Sequence, residues 1–286
     1  MLKREFSSSE KLFAIVLCLC LGFICNTFII GLLYQYLQGE VAYKFLLILS
    51  SILTFGVPAV VASMFVGSER NPFASIGMAR GAKAGRFVLV VVFMLAIMPA
   101  IELLSSLNAS YSFPESMKGV EEYFRAADIR AMEATQRALS GNGIGFYILN
   151  LIALAITPAI CEEMFFRGVL QKHLLGSIKN KHVAILLTAF IFSAIHLQFS
   201  GLLPRFILGA VLGYLFYSTG SLWISIVAHA TNNAIVVSVA YFGDINATEI
   251  PDISTFANIW WIVAIVFGLA IAVFAGRKIF VRDGEA

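Results

Sequence analysis

Long apolar runs separated by short polar links set the pattern of this chain. They can be drawn at Leu12 to Leu37, Phe45 to Val66, Phe87 to Leu107, Ile144 to Leu175, His182 to Phe199, Leu202 to Ser218, Ser221 to Phe242 and Ala257 to Phe280. A helix needs about 20 mostly apolar residues to cross the ~30 Å hydrocarbon layer. The runs therefore predict an all-α fold, a polytopic membrane bundle of about eight transmembrane helices, with residues 1–286 forming a single membrane-embedded domain. The link from Gly67 to Arg86 carries Pro72, Gly77 and Gly81 as breakers, and Pro99 inside the third run predicts a kink. The N-terminus is basic and then apolar, but the run from Leu12 to Leu37 is too long for the core of a signal peptide, so a retained first helix is expected.

One long segment, residues 108–142, is hydrophilic. Between Glu115 and Leu139 the apolar residues Val120, Tyr123, Phe124, Ala127, Ile129, Met132 and Leu139 recur at helical spacing among charges. An amphipathic connector is expected, lying on the membrane surface or capping the bundle.

Composition sharpens this picture. With 59% hydrophobic and 13% charged residues, the chain departs from a soluble domain's ~45–50% apolar and ~25% charged. The expected partners are the lipid bilayer and a membrane protein or peptide, with no nucleic acid. Cys18, Cys20, Cys25 and Cys161 include no C-x-x-C pair and read as small apolar residues. The net charge of +3 matters less than its placement. With the N-terminus inside, Lys3, Arg4, Lys11, Arg70, Arg80, Lys83, Arg86, Arg167, Lys172, Lys179, Lys181, Arg277, Lys278 and Arg282 fall on the cytoplasmic side. The acidic link with Asp244, Glu249 and Asp252 falls outside, as does the 108–142 connector. Both termini are then cytoplasmic, and a bacterial cytoplasmic membrane is the expected location.

Against this apolar background, three short patterns carry ionisable groups: Glu162-Glu163-x-x-x-Arg167, Phe192-x-x-x-His196 and His229-x-x-x-Asn233. A charged group inside a bilayer costs about 2.5–3.5 kcal/mol on insertion scales, so such groups face protein, pair with each other and mark function. A spacing of four puts the outer residues on one helical face. Glu163 can pair with Arg167, which leaves Glu162 free for chemistry. Counting residues from the turns brings the three patterns to similar depth if the basic hairpin around Lys172, Lys179 and Lys181 protrudes, with the site opening toward the cytoplasmic leaflet. Two chemistries fit. In one, Glu162 takes a proton from water, His196 orients that water, and His229 and Asn233 donate to an oxyanion. In the other, Glu162, His196 and His229 hold Zn²⁺ with a position open for water. Glu102, beyond Pro99, is a weaker candidate, and Gly209-x-x-x-Gly213 reads as close helix packing.

In this order, on successive apolar runs, the three patterns resemble the hallmark of the CPBP family, the CAAX protease and bacteriocin-processing membrane proteins also called Abi. The resemblance covers Ile144 to Phe242, the expected catalytic core helices (144–242). It implies an eight-helix intramembrane endopeptidase in which Glu162 and His196 activate water, His229 and Asn233 stabilise the oxyanion, and Glu163 and Arg167 form a supporting ion pair. The family is described as metalloproteases, although a metal-free glutamate mechanism has been argued for it, so zinc stays open. Two other readings compete: a non-proteolytic membrane partner or scaffold of the immunity type, and an ion-coupled transporter. A transporter predicts internal repeat symmetry between the halves, and none is visible.

Overall fold

A computed structural model of the chain describes residues 6–67, 69, 71–243 and 253–280. The charges assigned above to Lys3, Arg4, Arg70 and Arg282, and the acidic link with Asp244, Glu249 and Asp252, lie outside the described residues. Among the described residues the regular structure is helical, and it forms the polytopic bundle that the apolar runs predict.

The principal helices are α1 (Ser8–Tyr34), α2 (Glu40–Val66), α3 (Ala84–Ala109), α4 (Lys118–Ala138), α5 (Ile144–Ser177), α6 (Lys181–Ala194), α7 (Leu202–Thr219), α8 (Leu222–Phe242) and α9 (Ile259–Phe280). Seven of them, all but α4 and α6, are long and apolar enough to cross a membrane. Helix α1 starts on a capping box, in which the Ser7 hydroxyl accepts from the Glu10 N–H and the Glu10 carboxylate accepts from the Ser7 N–H.

Two prolines leave a local signature. Ile52–Gly56 and Leu151–Ile156 are wound as π-helix, and each lies just before a proline, Pro58 and Pro158. Proline lacks an N–H and its ring crowds the carbonyl four residues back, and a widened turn absorbs both defects. Around Pro99, by contrast, α3 stays helical from Ala84 to Ala109.

The fifth expected span, His182 to Phe199, is corrected. Helix α6 has 14 residues, about 21 Å at 1.5 Å per residue, and stops at Ala194. The chain then turns through residues 195–201, with Leu197 at φ 54°. Composition concealed this because Ile195, Leu197 and Phe199 are apolar. Protein groups hold the irregular backbone, as membrane depth demands. The Asn108 amide donates to Phe199 O at 2.5 Å and accepts from Leu203 N at 3.1 Å, and the Ser193 hydroxyl donates to Leu202 O at 2.6 Å.

Helices α6 and α7 pack as an antiparallel hairpin. The backbone comes so close at Gly213 that a Cβ there would lie 2.7 Å from Gln171 Oε1 and 2.8 Å from Ile185 Cγ2, which explains the small-residue spacing on α7. One core cluster centres on Phe165, Phe166, Phe192, Ile76 and Leu222, and a second on Val90, Met94, Leu212, Leu215 and Ile279. Helix α9 lies along α3, where a Cβ on Gly268 would stand 2.3 Å from Ala96 O.

The connector helix α4 caps one end of the bundle. Arg137 donates to the Tyr34 hydroxyl, Lys44 Nζ donates to Ser140 O at 2.7 Å, and Ser200 N donates to Asp128 Oδ2 at 3.3 Å. Phe124 packs on Phe199, with ring centroids 5.7 Å apart.

Candidate active site

The 34-residue helix α5 carries Glu162, Glu163 and Arg167 near its midpoint, and the eight residues Met164–Gln171 are π-wound. Such widened turns recur at functional sites. The two adjacent carboxylates have different surroundings. Glu163 and Arg167 are both 0% exposed, with Arg167 Nη1 2.6 Å from Glu163 Oε1. Arg167 Nη2 donates to Gly209 O at 3.0 Å on α7. The Glu162 side chain keeps 13% exposure.

His229 on α8 joins this pair. Its Nδ1 lies 2.9 Å from Glu163 Oε1, the oxygen that also accepts from Arg167. An ionised carboxylate only accepts, so Nδ1 carries the proton. The other ring nitrogen, Nε2, lies 3.9 Å from Glu162 Oε2. One imidazole therefore lies between the buried ion pair and the partly buried Glu162 carboxylate, an arrangement that spacing along single helices could not reveal.

His196 follows the end of α6. Its Nδ1 is 2.8 Å from Phe192 O; a carbonyl accepts, so Nδ1 donates and Nε2 is left as the acceptor. Phe192 has a role beyond marking the pattern. Its ring is edge-on to His196 (centroids 5.4 Å apart), to His229 (5.7 Å) and to Phe166 (5.1 Å), and the Arg167 guanidinium lies 4.7 Å from its centroid. Both histidines and the arginine thus lean on one buried ring. Phe192→Ala is expected to cost roughly 3–5 kcal/mol, as for other buried aromatic truncations. Thermal unfolding of the purified protein in detergent reads this as a lower Tm, and an unchanged Tm would show that the ring supports nothing.

Asn233 lies one turn beyond His229 on α8. Its side-chain oxygen accepts from Asn232 Nδ2 at 3.2 Å, and its NH₂ has no hydrogen-bond partner among the described residues. Asn232 and Arg205 stand outside the three sequence patterns. Arg205 Nη2 donates to Gln198 Oε1 at 2.7 Å, and its charge acts on both Glu162 and Asp128. The available signal was position: Gln198 lies in the turn that carries His196, and Arg205 follows it at the start of α7.

Glu162, His196 and His229 are the ligands that a zinc reading requires. Among the described residues no group of three or more His, Cys, Asp or Glu side chains is arranged to hold a metal ion. His229 Nδ1 is committed to Glu163 and His196 Nδ1 to a carbonyl, which leaves the two Nε2 atoms as the nitrogens that could ligate an ion.

A groove adjoins this site at the end of the bundle capped by α4, lined by residues of α3, α4, α8 and the 195–201 turn. That end is opposite the Lys172–Lys181 hairpin, where Ser177 meets Ser8 of α1.

Fold and site together define a helical membrane protein with a buried carboxylate–histidine–arginine cluster. Residues 144–235 match the family model described as "Type II CAAX prenyl endopeptidase Rce1-like", a match that covers about a third of the chain and includes all three patterns. This agrees with the CPBP resemblance. No curated protein and no solved structure matches the chain.

Proposed function

We propose that this protein is an intramembrane endopeptidase that hydrolyses peptide bonds of membrane-associated proteins or peptides, with Glu162 as the general base. The observation that carries the reading is the contrast between neighbours: Glu163 is sealed in an ion pair at 0% exposure, while Glu162 keeps 13% and stands 3.9 Å from the His229 ring, beyond hydrogen-bond distance. The match of residues 144–235 to an endopeptidase family supports it.

In this mechanism Glu162 takes a proton from a water held beside it, and His196 Nε2 accepts a hydrogen bond from that water's other O–H, which keeps its proton. The water oxygen bonds to the substrate's carbonyl carbon, and the C=O electron pair moves onto oxygen. The Asn233 NH₂ and a protonated His229 Nε2 donate to that oxyanion. The Glu163 carboxylate at Nδ1 holds the ring in place and offsets its charge. Collapse breaks the C–N bond, and Glu162 returns its proton to the departing amine. Residues 144–242 carry this machinery. Residues 108–142 form the extracytoplasmic cap, and both termini lie in the cytoplasm of a bacterial cell.

The test compares protein termini in membranes holding wild-type protein or Glu162→Gln. Termini that appear only with wild type support proteolysis and identify substrate and cleavage position together; identical sets, with both proteins present at equal level, overturn it. Glu162 and the two histidines act without a metal in this reading. Activity of the purified protein is therefore expected to survive exhaustive chelation, and loss of activity restored by added zinc would refute that part.

A further inference from the structure

The groove at the α4-capped end has a volume of about 570 Å³, within the range of ligand sites. Met98 on α3, Met132 on α4, and Ile235 and Val239 on α8 give it apolar walls. Its floor continues the catalytic face of α8: Val236, which lines the groove, lies one turn past Asn233, itself one turn past His229. At the site end the groove is lined by Gln198, whose oxygen holds Arg205.

Two carboxylates, Glu102 and Asp128, line this apolar space, and no Lys, Arg or His does. Asp128 is partly engaged. Its Oδ2 accepts from Ser200 N and the charge of Arg205 acts on it, but its Oδ1 is buried without a hydrogen-bond partner. Glu102 stands inside the membrane-spanning helix α3 and has no hydrogen bond or ion pair among the described residues. A carboxylate at that depth is unfavourable unless something pairs with it. Nothing in the ion-pair network around Glu162 uses it.

Resting on the endopeptidase reading, we infer that the groove between α3, α4 and α8 binds the substrate, and that the substrate is an apolar segment carrying a Lys or Arg side chain that pairs with Glu102. The match is one of charge and shape. Met and branched aliphatic walls accept an apolar chain, the lone unpaired carboxylate requires one cation, and α8 delivers the adjacent backbone to Asn233 and Glu162. Glu102 is on this account a specificity residue, and Asp128 gives α4 a share in the same recognition.

The test uses the full-length protein in lipid nanodiscs. The probes are a fluorescent synthetic peptide of apolar residues with one central Lys and the same peptide with norleucine in its place. Binding is read by anisotropy against empty nanodiscs, in a Glu162→Gln background so that nothing is cleaved. The Lys peptide is expected to bind about tenfold more tightly than the norleucine peptide. Adding Glu102→Gln is expected to remove the preference, and Glu102→Lys to transfer it to a peptide with Glu at that position, which a misfolded variant could not do. Equal affinities for Lys and norleucine, or a preference that survives Glu102→Gln, would overturn the inference. The two readings fail separately. Wild-type protein that cleaves both peptides at one rate keeps the endopeptidase and loses the groove. A Glu102-dependent preference without Glu162-dependent cleavage does the reverse.

Discussion

Exchanging Glu162 for Gln is expected to slow peptide hydrolysis by roughly 10²–10⁴-fold, the usual contribution of a positioned general base, while the bundle stays folded. Gln keeps the size of the side chain and removes the lone pair that accepts the water's proton. Glu162 is also the carboxylate that the structure can spare. It keeps 13% exposure, and its contact with the His229 ring at 3.9 Å is longer than a hydrogen bond. Tm and elution volume in detergent should therefore match wild type. Single-turnover cleavage of a substrate found by terminus mapping provides the rate. A variant with full activity would move the general base elsewhere, whereas no cleavage by either protein would favour the scaffold reading, in which the site is retained without hydrolysis.

Removing Arg167 should have the opposite character. Arg167→Leu leaves the Glu163 carboxylate, 0% exposed, without its 2.6 Å partner. Stranding one charge of a buried pair costs about 3–5 kcal/mol, a large share of the ~5–15 kcal/mol by which folded proteins are stable. The Gly209 carbonyl on α7 would also lose its donor, and the Phe192 ring its cation. Arg167→Leu is expected to give little monodisperse protein on size exclusion. The double change Glu163→Gln, Arg167→Met removes both charges and should recover much of the yield. It should not recover activity, because a neutral Gln no longer offsets charge on His229. Normal yield and Tm for Arg167→Leu alone would show that the pair is not structural.

The comparison with the sequence follows from which contacts lie within one helix. Glu163 and Arg167 are four residues apart on α5, so helical geometry alone brings them together, and the pair was legible. The same rule put Phe192 beside His196 but gave the aromatic no task, because its contacts with Arg167 and His229 come from other helices. His229 was expected to serve the oxyanion with Asn233. That its Nδ1 is held by Glu163 depends on the relative rotation of α5 and α8, which no periodicity encodes. The shortness of α6 was hidden for a different reason. Apolar residues mark membrane depth whether the backbone is helical or turning, and the turn at 195–201 is held by Asn108 on a helix about 90 residues earlier. The prolines did carry a readable signal, since Pro58 and Pro158 each stand two residues past the end of a widened turn.

The α3–α9 seam has a consequence for the order in which the protein is made. Gly268 meets the Ala96 backbone, so this contact joins parts of the chain about 170 residues apart. At about 5–20 residues per second, a ribosome needs roughly 10–30 s to supply the second half of the seam after the first. In water such a delay would leave an apolar flank exposed to aggregation. In a bilayer the waiting face of α3 meets lipid tails as apolar as its eventual partner. The segments bearing Glu162, His196 and His229 all emerge within that interval. The hydrolytic cluster can therefore assemble while the bundle is still open on one side, and α9 then packs on a structure whose chemistry is already in place.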